Sequence, residues 1–448
     1  MSGSTGWAPA VLPAALTRLL AHSSPVARQT AFIFLADGAA NLLDYGFHIY
    51  LGRSLSPKDF AVVQTINAAL LIILTAAGVW QPVVARFVAE GASRAGQDGR
   101  PLETAAPAFQ HYFRLAMIAG IALTLISWLA REAIGGWLNV PQVAVVVAAA
   151  ILIAGLARPV VAGVLQGQQR FVAFGLTRSA FAAGRLLLAL ILVGALGGGA
   201  LAAVATMPLG AIFALVLGLA FLGRAVWQPG PALSVARRRL GWRLSAGALL
   251  AYVSYMALLN VDLIWVNRFF EAEVAADYAT AVLLRRVISL LPGAVIVVVY
   301  PRIAALAAQG RSLDQTLFKA SVAIATTSLS ISALYFALGR PIIGLSFGAD
   351  YLSAGPLLGW LGLGMTGYAL AAMWMNTFLA TRPAPFIGLL LATTVAQMGL
   401  FAWRHNTIAE IMGIFGAAGW FLAGAGMILY MAWLRPRTAS AAVEQTDR

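Results

Sequence analysis

Apolar runs of about 20 residues recur along the chain from residue 28 to residue 434 and are separated by short polar stretches. A helix rises about 1.5 Å per residue, so each run is long enough to cross roughly 30 Å of hydrocarbon. The runs are too long for barrel strands and do not alternate between apolar and polar residues, which disfavours a β-barrel. The pattern therefore predicts an all-α polytopic membrane protein.

We expect about twelve membrane-crossing helices, in two lobes of six. The basic stretch "RAVWQPGPALSVARRRLGWR" lies almost at the midpoint of the chain and divides six apolar runs from six. The predicted helices span residues 28–51, 60–89, 108–130, 142–165, 175–196, 200–223, 244–269, 277–301, 316–339, 354–380, 385–404 and 410–434. The predicted divisions are an uncleaved cytoplasmic segment (1–27), an N-lobe (28–223), a basic cytoplasmic linker (224–243), a C-lobe (244–434) and a cytoplasmic tail (435–448).

The composition agrees with a protein of the bilayer. Hydrophobic residues make up 61% of the chain, charged residues only 10%, and the mean hydropathy is +0.85. One water-soluble core could not hide that much apolar surface. The absence of cysteine excludes disulfides and thiolate metal sites, and the four scattered histidines do not form a metal cluster. No metal or other cofactor is expected.

A formal net charge of +14 raises the question of nucleic-acid binding, which the distribution of the charge answers. Nineteen lysines and arginines lie in the tails and in the loops on the side of the termini, against six on the opposite side. The positive-inside rule therefore places both termini in the cytoplasm. Topology and attraction to anionic membrane lipids explain the basic excess, and no nucleic-acid partner is expected.

The two halves carry a weak internal repeat. Asp44 and the pair Asp59-Phe60 recur, at an offset of 218 residues, as Asp262 and the pair Asp277-Tyr278. Because each half has six predicted helices, both copies have the same orientation in the membrane. The repeat thus predicts a pseudo-two-fold axis along the membrane normal.

The first predicted helix carries Asp37, Asn41, Asp44 and His48 within an arc of about 60°. A charged group facing lipid at the helix centre costs about 2.5–3.5 kcal/mol, so this stripe should face protein or water. It could be a hydrogen-bond network that fixes the helix against its neighbours. It could also be a coupling site for a proton or Na⁺, or a wall of a hydrated transport cavity. For ion coupling the leading candidates are Asp37 and Asp44, with Asn41 and His48 in support and Asp262 as the related acid of the second half.

Five arginines lie within the predicted helices or close to their ends: Arg114, Arg158, Arg185, Arg285 and Arg286. Guanidinium groups bind phosphate oxygens in fork geometry, so a hydrated cavity lined by several of them would attract a diphosphate. Asn260 and Tyr255 add groups that sugar hydroxyls could use, although neighbouring backbone could use them equally. Arg114 could instead reach the cytoplasmic surface, and either Arg285 or Arg286 could neutralise Asp262.

Several segments resemble one family in sequence and in order. The segment "YLGRSLSPKDFAVVQT" (50–65), followed by "QPVVARFVAEG" (81–91), resembles the opening signature of the polysaccharide biosynthesis, or oligosaccharide flippase, family. Later blocks of that family resemble "NVDLIWVNRFF" (260–270), "YPRIAAL" (300–306) and "FGADYLSAGPLLGWLGLG" (347–364). The chain departs from the pattern where Ala61 and Ala276 replace a glycine that often flanks the acid-aromatic pair.

The resemblance implies two six-helix lobes around a cleft that opens alternately to each leaflet, as in the related multidrug-and-toxin extruders and lipid II flippases. It also implies ion-coupled transfer of an undecaprenyl-diphosphate-linked oligosaccharide across the bacterial inner membrane, with the arginines near the diphosphate. A glycan polymerase or other export proteins are the protein partners that this role implies.

Two other functions compete with a flippase. A proton- or Na⁺-coupled multidrug antiporter of the same fold would use an acid on the first helix, but five arginines against three buried acids favour an anionic substrate. An integral-membrane glycan polymerase or ligase would need a catalytic constellation on a large outer loop. Apart from "RPIIGLSFGADYLS", the predicted outer loops have about ten residues or fewer and carry no nucleophile–base arrangement. We therefore expect a transporter rather than an enzyme.

Overall fold

The computed structural model describes residues 25–94, 101–228, 233–381 and 383–435, and these residues are helical apart from short connections. The helices of the first half are α1 (Pro25–Ser54), α2 (Pro57–Gly78), α3 (Trp80–Arg94), α4 (Pro101–Leu129), α5 (Arg131–Leu138), α6 (Gln142–Ala149), α7 (Ile151–Gly167), α8 (Phe171–Ala189) and α9 (Ala200–Leu222). Those of the second half are α10 (Val235–Phe269), α11 (Ala272–Arg285), α12 (Val287–Ala308), α13 (Asp314–Ser346), α14 (Gly355–Ala380), α15 (Pro383–Trp403) and α16 (Ile408–Leu429).

Apart from the short α5, the helices of the described residues form twelve rods, which confirms the all-α polytopic architecture. Three rods are each built from two consecutive helices: α2 with α3, α6 with α7, and α11 with α12. Among the described residues, ten helices are long and apolar enough to cross a membrane. The other two rods, α1 and α11–α12, are the ones that carry Asp37, Asp44, Arg285 and Arg286.

Side-chain caps fix where several rods begin. The hydroxyl of Ser56 accepts a hydrogen bond from the backbone N–H of Asp59 at 3.2 Å, and Pro57 occupies the first turn of α2. Ser234 caps α10 in the same way, 3.4 Å from the N–H of Arg237. Because α10 begins at Val235 rather than at residue 244, Arg237, Arg238 and Arg239 of the basic stretch lie on the first turn and a half of this helix.

The rods pack as two lobes. In the first lobe, α8 packs against α1 and α9, and α7 packs against α3, α4 and α9; in the second, α14 packs against α13 and α16. Small residues allow the closest approach: a Cβ on Gly367 would lie 2.6 Å from the backbone of Gly419. The lobes meet mainly where α2 packs against α10 and α11.

Contacts at one end of the bundle close the boundary between the lobes. We call it the outer end; the terminal end is the one where α1 begins and α16 ends. Arg53 donates to the carbonyl of Ser346 at 2.8 Å, and Asn267 donates to the carbonyl of Leu138 at 2.7 Å. The ring of Phe60 lies 6.0 Å from that of Phe347. The site described next lies on the terminal side of this closure.

Candidate functional site

A cavity of about 370 Å³ lies inside the first lobe and reaches the second lobe at Arg286. Its walls come from α1, α2, α3, α7, α8 and α9. The polar and charged side chains that line it are Asn41, Asp44, Asn67, Gln81, Arg158, Thr177, Arg178, Arg185 and Arg286. We call this space the arginine cavity.

A second cavity, of about 250 Å³, adjoins the first at the boundary between the lobes. The two share Asn41, Asp44, Leu71 and Arg286, and the second adds residues of α10, α11 and α12. Together they fall in the range of volumes that hold small-molecule ligands, roughly 300–1,000 Å³. The pair of cavities can therefore hold a polar head group between the two lobes.

The arginine cavity has more guanidinium groups than carboxylates among the described residues. Arg178 lies 2.9 Å from the carboxylate of Asp37, and Arg185 lies 3.0 Å from that of Asp44. Arg286 donates to the neutral side chain of Asn260 at 2.9 Å. Arg158 has no acidic partner in the described part of the chain. The charge of the cavity is therefore net positive.

Aromatic rings hold two of these arginines in place. The guanidinium of Arg158 lies 4.1 Å from the ring centroid of Phe181, and that of Arg185 lies 5.2 Å from the same ring. Arg185 also stacks on Phe47 at 4.1 Å. Such cation–π contacts stabilise a guanidinium group that is removed from water. Phe181 lies three residues after Arg178 and four before Arg185, a helical spacing that could have identified it from the sequence.

Arg185 is buried but only partly hydrogen bonded. Its exposed fraction is 4%, and one terminal nitrogen donates to Asp44. The Nε and the second terminal nitrogen have no hydrogen-bond partner among the described residues. Gly210 makes room for the stem, because a Cβ there would lie 2.8 Å from the Cγ of Arg185. Each buried donor without a partner lowers the stability of the fold by about 1–3 kcal/mol, and an anion in the cavity could accept hydrogen bonds from both.

Asp44 connects the arginine cavity to a buried polar chain. Its carboxylate is 3.7 Å from the Nε2 of His48, whose Nδ1 is 2.9 Å from the side-chain nitrogen of Gln64. The side chain of Asp44 is 42% exposed, whereas that of His48 is 3% exposed. The polar stripe of the first helix thus faces protein and cavity: Asn41, Asp44 and His48 line the second cavity, and Asp37 pairs with Arg178.

Asp262 has a different environment from Asp44. Arg285 donates to both of its carboxylate oxygens, and the hydroxyl of Tyr278 donates to it at 2.6 Å. The side chains of Asp262 and Arg285 are 0% and 1% exposed. The offset of 218 places Asn67 where the second half has Arg285. The first lobe therefore has no arginine at the position equivalent to Arg285. Asp44 on α1 pairs with Arg185 on α8 instead.

Two of the predicted substrate-binding residues lie away from both cavities. Arg114 is exposed on α4 and lines neither cavity. Tyr255 is buried, and its hydroxyl donates to the carbonyl of Tyr368 at 3.0 Å, a contact within the second lobe. Asn260, in contrast, lines the second cavity. Among the described residues, no group of three or more histidines, aspartates and glutamates could hold a metal ion.

The architecture is that of two-lobed membrane transporters. An inward-facing transporter of the multidrug resistance MATE family superimposes with a TM-score of 0.68 at 16% identity, covering 90% of this chain and 95% of that one. The lipid II flippase MurJ, in an inward closed conformation, gives 0.68 at 13% identity over 89% and 87% of the two chains. A MOP superfamily transporter from Pyrococcus furiosus, described as having a binding pocket of reverse polarity, superimposes with a TM-score of 0.65 at 15% sequence identity. The match covers 93% of this chain and 96% of that one.

The chain belongs to the polysaccharide biosynthesis protein family, whose sequence profile matches residues 26–307. No curated protein gives a significant match. The family that the sequence segments resemble is thus confirmed, as is the MATE-like fold. At 13–16% identity the solved structures establish the shared fold, and family and fold agree with a transporter rather than an enzyme.

Proposed function

We propose that this protein is a flippase that carries the head group of an undecaprenyl-diphosphate-linked oligosaccharide, or of a similar anionic glycolipid, across the bacterial inner membrane. The observation that carries the proposal is the net positive charge of the arginine cavity, with Arg158 facing it and no acidic partner for Arg158 among the described residues. A guanidinium without a carboxylate partner inside a membrane protein costs free energy, so its presence points to a function. A diphosphate would neutralise it.

The donors of the cavity suit a diphosphate linked to a sugar. Arg158, Arg286 and the free nitrogens of Arg185 can bind phosphate oxygens in fork geometry. Asn41, Asn67, Gln81 and Thr177 line the same space and can hydrogen-bond sugar hydroxyls. The family's link to polysaccharide biosynthesis supports a substrate that carries a glycan.

Alternating access would move the head group between the two leaflets. The outer end is closed by contacts between the lobes, and the cavity lies toward the terminal end. With both termini cytoplasmic, as the distribution of basic residues favours, this conformation receives substrate from the cytoplasmic leaflet. Release to the other leaflet would require the outer contacts to separate.

Asp44 is the residue to which we assign ion coupling, with Asp37 beside it on α1. The substrate phosphate and the Asp44 carboxylate compete for Arg185, because both bind the same guanidinium. A carboxylate displaced from Arg185 becomes available to a proton or Na⁺, with His48 3.7 Å away. Substrate binding and ion binding are then linked through one arginine.

The test is a transport assay with the full chain in proteoliposomes. The probe is a fluorescent undecaprenyl-diphosphate-linked N-acetylglucosamine, with ethidium as the cationic comparison. We expect the wild type to translocate the diphosphate lipid and Arg158→Gln to lose at least 10-fold in rate, since one charge-assisted phosphate contact is worth about 1.5–3 kcal/mol. The matched control is Arg114→Gln, which removes an exposed arginine outside both cavities.

Two results would contradict the proposal. Transport of ethidium without transport of the diphosphate lipid would identify a drug exporter. Equal rates for Arg158→Gln and wild type would show that the unpaired arginine does not serve the substrate.

A further inference from the structure

A third cavity lies on the outside of the second lobe, between α12 and α13, and has a volume of about 270 Å³. Val298 on its wall is 76% exposed, and the neighbouring Phe318 is 70% exposed. In a membrane-spanning bundle, such apolar side chains face lipid. None of the residues that line this cavity lines the arginine cavity or the cavity adjoining it. We call it the lateral crevice; its walls include Val295, Val298, Arg302, Lys319 and Ala323.

The lateral crevice changes from basic to apolar with depth. The helix α12 ends at Ala308 and α13 begins at Asp314, so this hairpin lies at the terminal end. At 1.5 Å per residue, Arg302 and Lys319 lie about 8–9 Å from that end. Ala323 lies about 14 Å from it and Val295 about 20 Å. The two cations are therefore at the depth of lipid head groups, and the apolar walls continue into the hydrocarbon.

No acidic side chain of the described residues lines the crevice. The nearest acid along α13, Asp314, accepts hydrogen bonds from the hydroxyl of Tyr430 at 2.8 Å and from Arg435 at 3.1 Å, so it is engaged on the side of α16. Arg302 and Lys319 thus present two positive charges above an apolar slot. This pattern complements a molecule with an anionic phosphate and a long apolar chain. A zwitterionic lipid would bring its own ammonium group against the same cations.

We propose that the lateral crevice binds an anionic phospholipid of the surrounding leaflet. Its phosphate lies between Arg302 and Lys319, and one acyl chain lies along Val295, Val298 and Ala323. The site is separate from the substrate cavity, so its occupancy does not depend on what the protein transports.

The test measures lipid binding to the purified full chain by native mass spectrometry, with palmitoyl-oleoyl phosphatidylglycerol and the matching phosphatidylcholine as probes. We expect wild type to retain phosphatidylglycerol selectively. A variant carrying Arg302→Gln and Lys319→Gln should lose roughly 30-fold in affinity, as two juxtamembrane cations predict. The matched control is Arg311→Gln, which removes an exposed cation of the same hairpin that does not line the crevice.

A second variant separates a built site from general surface attraction. Ala323→Phe fills the apolar part of the crevice and leaves both cations in place, and it should also lose phosphatidylglycerol. Selectivity that survives the double variant, or that falls equally in Arg311→Gln, would overturn the proposal. So would displacement of phosphatidylglycerol by an equal concentration of undecaprenyl diphosphate, because the crevice would then belong to the substrate.

Discussion

At the scale of single residues, the pair formed by Arg185 and Asp44 has two possible meanings. It could be a structural ion pair that holds α8 against α1, or the arginine could be the phosphate ligand that the carboxylate occupies in the absence of substrate. The two unsatisfied nitrogens of Arg185 favour the second meaning, since a purely structural pair would satisfy them.

A double-mutant cycle distinguishes these meanings. Arg185→Ala should reduce transport of the diphosphate lipid at least 10-fold and lower the free energy of unfolding by roughly 1–2 kcal/mol, a modest value because Asp44 is half exposed. Adding Asp44→Asn removes the unpaired carboxylate and should restore stability but not transport. Transport at the wild-type rate in the double variant would show that Arg185 only neutralises Asp44.

At the scale of helices, the contrast between Asp44 and Asp262 shows how two related positions acquire different roles. Asp262 on α10 is enclosed by Arg285 and Tyr278 of α11 and lines neither cavity. In the conformation described, this triad joins two helices of the second lobe. The repeat marks Asp262 as a coupling candidate, so its role needs a direct test.

We predict that Asp262→Asn lowers the free energy of unfolding by roughly 3–5 kcal/mol, because it leaves the guanidinium of Arg285 buried and without its carboxylate. Thermal unfolding in detergent measures this. Replacing the whole triad with apolar residues (Asp262→Leu, Tyr278→Phe and Arg285→Met) should recover most of the loss. The opposite pattern, unchanged stability with a lost response to an ion gradient, would make Asp262 a coupling residue.

Helices also show how far the sequence could predict this protein. The twelve rods were predictable, because about 20 consecutive apolar residues leave few alternatives in a bilayer. The charge of Arg237, Arg238 and Arg239 suggests a loop and so predicts too late a start for α10. Arginine is nevertheless a good helix former, and Ser234 supplies the cap. The division of the second rod between α2 and α3 lies just before Pro82, which cannot donate a backbone hydrogen bond.

The candidate site was predictable only in part. The stripe on α1 followed from helical periodicity, and the arginines followed from their improbability in a membrane. Which arginine meets which acid did not, because Arg185 and Asp44 are 141 residues apart and only packing brings α8 against α1. The same reason explains why the sequence suggests Arg114 and Tyr255 as substrate ligands although they lie outside the cavities.

At the scale of the whole molecule, the closure of the outer end has two related halves. Arg53, at the end of α1, donates to carbonyls at the end of α13, and Arg268, near the end of α10, donates to the carbonyl of Gly136 in α5. Each lobe thus reaches across to the hairpin of the other, as a pseudo-two-fold axis requires. Gly52 lets the lobes approach closely, since a Cβ there would lie 2.5 Å from the ring of Phe347.

We predict that weakening this closure shifts the population toward an outward-open state. The chain has no cysteine, so Thr177→Cys introduces a single thiol in the arginine cavity, which an impermeant maleimide should label from the terminal side. Adding Arg53→Ala and Arg268→Ala, or the wedge Gly52→Leu, should reduce this labelling and increase labelling from the outer side. The matched control is Arg404→Ala, which removes an exposed arginine whose guanidinium lies over Trp403 of its own lobe. Because the polar contacts are exposed and each is worth about 1 kcal/mol, the double variant should change the ratio of the two states roughly 10-fold or more. If both variants label as the parent does, the outer contacts follow the movement of the lobes and do not determine which state is populated.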